Sequence, residues 1–260
     1  MTRKALLIGI NYIGTNSQLN GCINDVINIQ NFLLREKGYK QDEIVILTEV
    51  SNGKKPLKDN IINWINWLVQ DNNEHSNLFF HYSGHGSNIT DLNKDEVDGR
   101  DETICPLDYE TNGFIIDDDL YKLLISPLKK GAKLMCIFDS CHSGTIIDLR
   151  YNYKVDSNQN NNTYQIKEDK NYNPTESNVI VFSGCLDAQY SADSFEEGKA
   201  QGALTYCFLK TYQKFKDTKK PITYKGLIKN LTVFMKQKKY DQIPQLSSGH
   251  FIDIMKVFEF

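Results

Sequence analysis

No apolar run in these 260 residues approaches the ~18 needed to cross a bilayer, so a membrane-spanning helix is not expected. Met1-Thr2-Arg3-Lys4 leads straight into a strand-like segment with no cleavage pattern; no signal peptide is read, and a cytoplasmic protein is expected. There is no basic excess: 30 Lys and Arg stand against 33 Asp and Glu, a net charge of −3, which argues against a dedicated nucleic-acid binder. The six cysteines, at 22, 105, 136, 141, 185 and 207, include no C-x-x-C pair, so neither a zinc site nor a redox dithiol is expected. In a reducing compartment they are free thiols. No internal repeat is visible.

What is present is ordinary for a folded chain: 40% hydrophobic and 24% charged residues. The length suits one large domain or two small ones. The charge, however, is concentrated. Residues 91–119 hold eleven acidic and two basic side chains, a local net of −9, while the rest of the chain nets +6.

Short β-branched apolar runs at 4–10, 43–48, 77–82, 133–138 and 178–182 predict buried strands. Amphipathic stretches at 21–37, 56–70, 118–130, 203–214 and 224–236 predict helices; Gly38 stops the first and Pro56 stands near the start of the second. Alternating strands and helices predict an α/β fold, a mostly parallel sheet with helices on both faces and one core, hence a single domain over 1–260. Residues 150–177 are polar and Asn-rich, and predict a long exposed loop dividing 1–149 from 178–260.

Two segments share one design. His81-Tyr82-Ser83-Gly84-His85-Gly86 ends one apolar strand, and Asp139-Ser140-Cys141-His142-Ser143-Gly144 ends another. In an open parallel sheet ligands bind beyond the carboxyl ends of the strands, so His85 and Cys141 can meet on one edge. An imidazole beside a thiol can activate it as a nucleophile, and glycines let backbone N–H groups approach a substrate carbonyl. On the residues alone, Cys141 reads equally as an inert core thiol and His85 as a structural turn residue. A metal site from His81, His85, Cys141 and His142 lacks the usual zinc spacing. Asp25 alone reads equally as a first-turn carboxylate complementing a helix dipole, and the acidic segment as a solvated loop.

These two blocks resemble the catalytic blocks of the metacaspases, caspase-like cysteine peptidases, and further matches follow in order along the chain. They are Asn20-Gly21-Cys22-Ile23-Asn24-Asp25, residues 183–193 beginning Ser183-Gly184-Cys185-Leu186-Asp187, Gly202-Ala203-Leu204-Thr205-Tyr206, and Gln242-Ile243-Pro244-Gln245-Leu246-Ser247-Ser248. The resemblance implies a caspase-like three-layer sandwich and a calcium-stimulated cysteine endopeptidase cutting proteins after Arg or Lys. Cys141 would be the nucleophile and His85 the general acid and base. Backbone N–H groups of Gly86 and Cys141 would form the oxyanion hole. Asp25 and Asp139, with Cys22 and Ser83 beside them, would line the pocket for the substrate cation, which needs countercharge when desolvated.

It also implies a calcium site at Asp101, Asp117, Asp118 and Asp148, an oxygen donor set suited to a hard cation. Self-cleavage is expected in 150–177, at Arg150, Lys154, Lys167 or Lys170, because exposed flexible loops are natural nicking sites. The chain looks like a type I catalytic core without a prodomain and is expected to be a monomer. His142 is not expected to be catalytic, and Cys105, Cys136, Cys185 and Cys207 read as buried thiols. Leu186 stands where many members carry a basic or polar residue. The alternatives are a catalytically silent caspase-fold interaction module and a flavodoxin-like phosphate binder; for the latter, Gly9-Ile10-Asn11-Tyr12-Ile13-Gly14 is a poor phosphate turn.

Overall fold

The computed structural model describes the chain except residues 1, 51–53, 91–98, 142, 145, 156–163, 185–192, 197, 220 and 241. In chain order the strands are β1 (Arg3–Gly9), β2 (Ile44–Thr48), β3 (Asn77–Ser83), β4 (Gly86–Thr90), β5 (Arg100–Ile104), β6 (Ile115–Ile116), β7 (Lys133–Asp139), β8 (Tyr151–Val155), β9 (Tyr164–Glu168), β10 (Asn178–Gly184), β11 (Asp193–Glu196), β12 (Lys199–Gly202) and β13 (Pro244–Ser248). The helices are α1 (Cys22–Glu36), α2 (Lys58–Val69), α3 (Tyr109–Asn112), α4 (Asp117–Leu120), α5 (Ala203–Thr218) and α6 (Tyr224–Gln237).

Eight strands form one sheet in the order β2-β1-β3-β7-β10-β13-β8-β9. The first five are parallel; β13, β8 and β9 are each antiparallel to the neighbour before them. Side chains alternate across a strand, so each run feeds two cores. Ala5, Leu7, Phe79, Met135 and Ile137 pack under α1, α5 and α6. Leu6, Ile8, Leu78, Phe80, Leu134 and Phe138 pack under α2 and the α4 segment. This is why the runs carry apolar residues on both faces instead of alternating: both faces are covered. The chain leaves β1 on one side for β2 and then crosses to β3 on the other. The carboxyl ends of β1 and β3 therefore flank a point where strand order reverses, the usual place for a site. Among the described residues no helix is long and apolar enough to cross a membrane.

Two expectations need correction. Residues 150–177 are not a structureless loop: β8 and β9 form an antiparallel hairpin that extends the sheet through β13, with Tyr153 opposite Leu246 and Ile166. The polar composition misled because only Tyr153 of this hairpin is buried among its described side chains; β9 is exposed throughout. The helix expected over 118–130 is shorter. Its α-turn gives way to a π-turn over Tyr121–Ile125, and the segment ends at Ser126 before Pro127, which cannot continue it. Part of the acidic region, β5 and β6, joins β4 in a small antiparallel sheet, β4-β5-β6, that the polar sequence did not predict.

Candidate active site

His85 and Cys141 stand at equivalent places on neighbouring strands. The β3–β7 register ends with Ser83 opposite Asp139, and each of the two residues lies two positions further on. The Gly84 N–H donates to the Asp139 carbonyl at 3.4 Å, closing the pair beyond the ladder. A Cβ on Gly86 would overlap the Cys141 carbonyl, so the chain after His85 runs directly over the Cys141 backbone. Cys141 is 6% exposed and reduced.

The imidazole is held by the loop between β1 and α1. His85 Nε2 lies 2.6 Å from the Ser17 carbonyl oxygen. A carbonyl only accepts, so in the neutral ring Nε2 carries the proton and Nδ1 is the basic nitrogen. Tyr12 from the same loop packs against the imidazole in a tilted arrangement, with ring centroids 4.7 Å apart. Sequence reasoning missed both residues. Tyr12 lies in the segment weighed only as a phosphate turn, and nothing in sequence brings it to a histidine in another block.

A buried carboxylate pair lies beside them. Asn11 Oδ1 accepts the Cys22 and Ile23 N–H groups at 3.0 and 3.3 Å, capping α1 from outside, since Gly21 has no side chain to do so. Gly9 lets α1 approach: a Cβ there would come within 2.5 Å of the Cys22 carbonyl. This docking places Asp25, fully buried, over the end of β3. Asp25 accepts the Ser83 hydroxyl at 2.7 Å and the Gly202 N–H at 2.9 and 3.0 Å. Asp139 Oδ2 accepts the Thr205 N–H at 2.7 Å. A Cβ on Gly202 would overlap Asp139 Oδ2 and come within 2.6 Å of Asp25 Oδ2, so both carboxylates close on the Gly202 backbone with no room for even a methyl group there. Cys22 is buried at the first turn of α1, with its backbone against Gly9. Of the expected pocket residues, Asp25, Ser83 and Asp139 are thus brought together around Gly202 and Thr205 of the later block, while Cys22 lies one turn earlier on α1.

His81 does not join His85. It is fully buried within β3, its Nε2 3.1 Å from Thr205 Oγ1, and burial pushes its pKa down to about 3. Cys136 is pushed up by burial, and Cys105 is pushed up to about 12, first by burial, so neither is a reactive thiolate. His142, Cys185 and Leu186 lie outside the described residues.

The four aspartates implied as a calcium site occupy one corner. Asp101 is on β5, and the N–H of the next residue, Glu102, donates to Asp117 Oδ2 at 2.6 Å. Asp118 follows and pairs with Lys122 at 3.0 Å. Asp148 reaches the same corner: the Tyr121 hydroxyl is pushed up first by burial and then by the Asp148 carboxylate. Asp101, Asp117 and Asp148 are buried, and their all-oxygen donors suit a hard cation. Among the described residues no group of three or more His, Cys, Asp or Glu side chains stands ready to hold an ion, so binding would need these carboxylates drawn together. Of the self-cleavage candidates, Lys154 and Lys167 lie in the β8–β9 hairpin and Lys170 in the turn after it. Arg150 is held by Glu168 at 2.8 and 2.9 Å and by the Tyr172 carbonyl at 3.0 Å.

A family model for the metacaspase, peptidase C14 domain matches residues 3–150, which include both strand ends, His85 and Cys141. The chain belongs to the metacaspase family. Metacaspase-1 of Mycosarcoma maydis is 39% identical, with 98% of this chain and 72% of that protein covered. Metacaspase-1 of Cryptococcus neoformans var. neoformans serotype D is 38% identical over 98% of this chain and 64% of its own length. The Saccharomyces cerevisiae protein is 38% identical over 97% and 67%. The chain therefore spans about two thirds of the length of these relatives. Among solved structures, protein GSU0716 from Geobacter sulfurreducens matches with a TM-score of 0.66 at 24% identity, covering 100% of both chains. The structure of pro-sf-caspase-1 matches at 0.54 and 10% identity, over 96% of this chain and 89% of that one. Both are likenesses of fold, and they place this metacaspase among caspase-like α/β proteins.

Proposed function

We propose that this metacaspase chain is a calcium-stimulated cysteine endopeptidase that cleaves proteins after Arg or Lys and processes itself. The observation carrying the reading is the pairing of His85 and Cys141 past the matched ends of β3 and β7. His85 Nδ1 takes the Cys141 thiol proton, and the thiolate sulfur attacks the scissile carbonyl carbon. Backbone N–H groups of Gly86 and Cys141 receive the developing oxyanion. The C–N bond breaks as the imidazolium returns its proton to the leaving amine. Water, deprotonated by the same imidazole, then hydrolyses the thioester and frees Cys141.

Specificity follows from the pocket. Two buried carboxylates that both close on Gly202 repel each other, and a substrate guanidinium or ammonium reaching Asp25 and Asp139 would relieve that repulsion. The Ser83 and Gly202 donors hold the Asp25 carboxylate in place. Calcium, held by Asp101, Asp117, Asp118 and Asp148, would supply countercharge at the corner reached by the segment after Cys141. A soluble monomer in the cytoplasm, with protein substrates and no nucleic-acid or membrane partner, completes the proposal.

The test is hydrolysis of Arg-, Lys- and Asp-terminated peptide reporters, with calcium and with chelator, by the unmodified chain and Cys141→Ala. Cleavage of the first two only, lost in the variant, is expected. Turnover by Cys141→Ala matching the unmodified chain would remove the mechanism. No turnover, with Cys141 unlabelled by an Arg-directed electrophile, would favour the silent interaction module.

A further inference from the structure

We propose that Tyr12 is the positioning residue of the His85 imidazole. The proposal rests on the reading of His85 as general acid and base. Tyr12 is almost fully buried and grips His85 in two ways. Its ring lies on the imidazole, with planes tilted by 36° and centroids 4.7 Å apart. Its hydroxyl accepts the His85 N–H at 3.1 Å and donates to the Cys105 carbonyl at 2.7 Å.

Tyr82 does the reverse. Its hydroxyl accepts the Cys105 N–H at 3.1 Å and donates to the His85 carbonyl at 2.7 Å. The two phenols thus clamp His85 to Cys105 where β4 begins and β5 ends, with each hydroxyl proton and each backbone group engaged. Burial raises the pKa of both phenols well above the ordinary range, so both keep their protons. Only Tyr12 also touches the imidazole ring.

The backbone at Tyr12 supports a functional role. Its φ is +50°, in the left-handed region, which is costly for a bulky side chain and is found where surroundings impose it. The Thr15 N–H and hydroxyl both bond the Tyr12 carbonyl, at 3.1 and 2.8 Å, and fix the turn. That turn lays the Tyr12 ring on the imidazole face while bringing the Ser17 carbonyl to Nε2. One short loop therefore holds both a face and an edge of the imidazole, leaving Nδ1 for the chemistry. Ring orientation matters because a misplacement of about 1 Å can cost about 10²-fold in rate.

The experiment compares Tyr12→Leu, which removes ring and hydroxyl, with Tyr12→Phe, which keeps the ring. Tyr82→Phe and His85→Ala serve as references. kcat and KM are measured separately on the Arg reporter with calcium. The His85 ring tautomer and backbone amide are read by 15N–1H NMR in a Cys141→Ala background. Tyr12→Leu is expected to lose about 10²-fold in kcat at nearly unchanged KM, while the Nε2-protonated ring gives way to a tautomer mixture. Tyr12→Phe should keep the tautomer, shift the His85 amide and lose about tenfold in kcat, as for one buried hydrogen bond. An unchanged tautomer in Tyr12→Leu overturns the proposal even if kcat falls, because the role would then be structural. If Tyr12→Leu does not fold, an unmoved His85 amide in Tyr12→Phe overturns it. Full activity in His85→Ala would instead overturn the catalytic reading, with the tautomer result still deciding what Tyr12 does.

Discussion

Gly86 packs against the backbone carbonyl of Cys141 so closely that a Cβ at Gly86 would overlap it. The two residues come from separate strands, so any enlargement of the first displaces the second or the imidazole attached to the preceding residue. Gly86→Ala is therefore expected to lose about 10²-fold or more in kcat/KM with the overall fold retained. Reporter hydrolysis and circular dichroism check this; activity within twofold of the unmodified chain would mean that the strand ends yield without consequence.

The carboxylate pocket gives a second expectation. Asp25 and Asp139 are both buried, and each accepts backbone N–H groups from the segment 202–205. Removing either carboxylate leaves a desolvated substrate cation short of countercharge, a loss of about 3–5 kcal/mol for a broken buried pair. Asp25→Ala and Asp139→Ala should each lower kcat/KM on Arg and Lys reporters by hundreds- to thousands-fold. Preferred cleavage after Asp by the unmodified chain would contradict the assignment of this pocket.

The parallel half of the sheet was legible because its strands are apolar on both faces and its helices carry a clear apolar stripe. Val26, Ile29, Phe32 and Leu33 of α1 all reach the core as their spacing predicts. The strand-end positions of His85 and Cys141 were legible for the same reason. The antiparallel edge was not. Pro244–Ser248 is polar in sequence yet buried at every position, because α6 and β8 cover it. Tyr164–Glu168 has no buried side chain and so no apolar period to read. The grip of Tyr12 on His85 was illegible in a different way, since it depends on a left-handed turn that no residue type at that position announces.

Self-processing should follow local order. Lys154 is paired with Gln165 and Lys167 with Asn152 in the hairpin ladder, and Arg150 is tied to Glu168 and Tyr172. A peptidase needs an extended, accessible segment, and opening these strands would cost their hydrogen bonds. Lys170, exposed in the turn after β9, is the expected first cut. Mass spectrometry of the chain after incubation with calcium reads the sites; a first cut at Arg150, or an intact chain, would contradict this order.

His81 should make the fold acid-sensitive. Burial pushes its pKa from 6.5 down to about 3, so below pH 6.5 the unfolded chain binds a proton that the folded chain refuses. Stability is then lost as pH falls from 6.5 toward 3, by about 1.4 kcal/mol per pH unit for this one group. His81→Gln keeps a hydrogen-bonding partner for Thr205 Oγ1 but removes the titration. Urea unfolding at pH 7, 6, 5 and 4 should show a shallower decline for His81→Gln than for the unmodified chain. Identical slopes would assign the acid sensitivity to other groups.

Calcium dependence is the expectation with the most to lose. Residues 91–119 carry a net charge of −9; Asp101 and Asp117 within that segment are buried, as is Asp148 beyond it. Asp117 spends Oδ2 on the Glu102 N–H and Oδ1 on the Asp118 N–H at 2.8 Å, which fixes its place but leaves its charge. A divalent ion drawing these carboxylates together would neutralise the corner and tie Asp148, on the segment following Cys141, to β5 and α4. Calcium accepts six to eight oxygens in irregular geometry, whereas magnesium requires near-octahedral order, so magnesium should not substitute. A site that must be drawn together should be weak, about 10⁻⁴–10⁻³ M. Asp117→Ala and Asp148→Ala should abolish stimulation, while the calcium-free activity of each matches that of the unmodified chain in chelator. Titration calorimetry on Cys141→Ala, which cannot cut itself, separates binding from turnover. Full activity in chelator together with no calcium heat would reduce the acidic corner to a solvated surface.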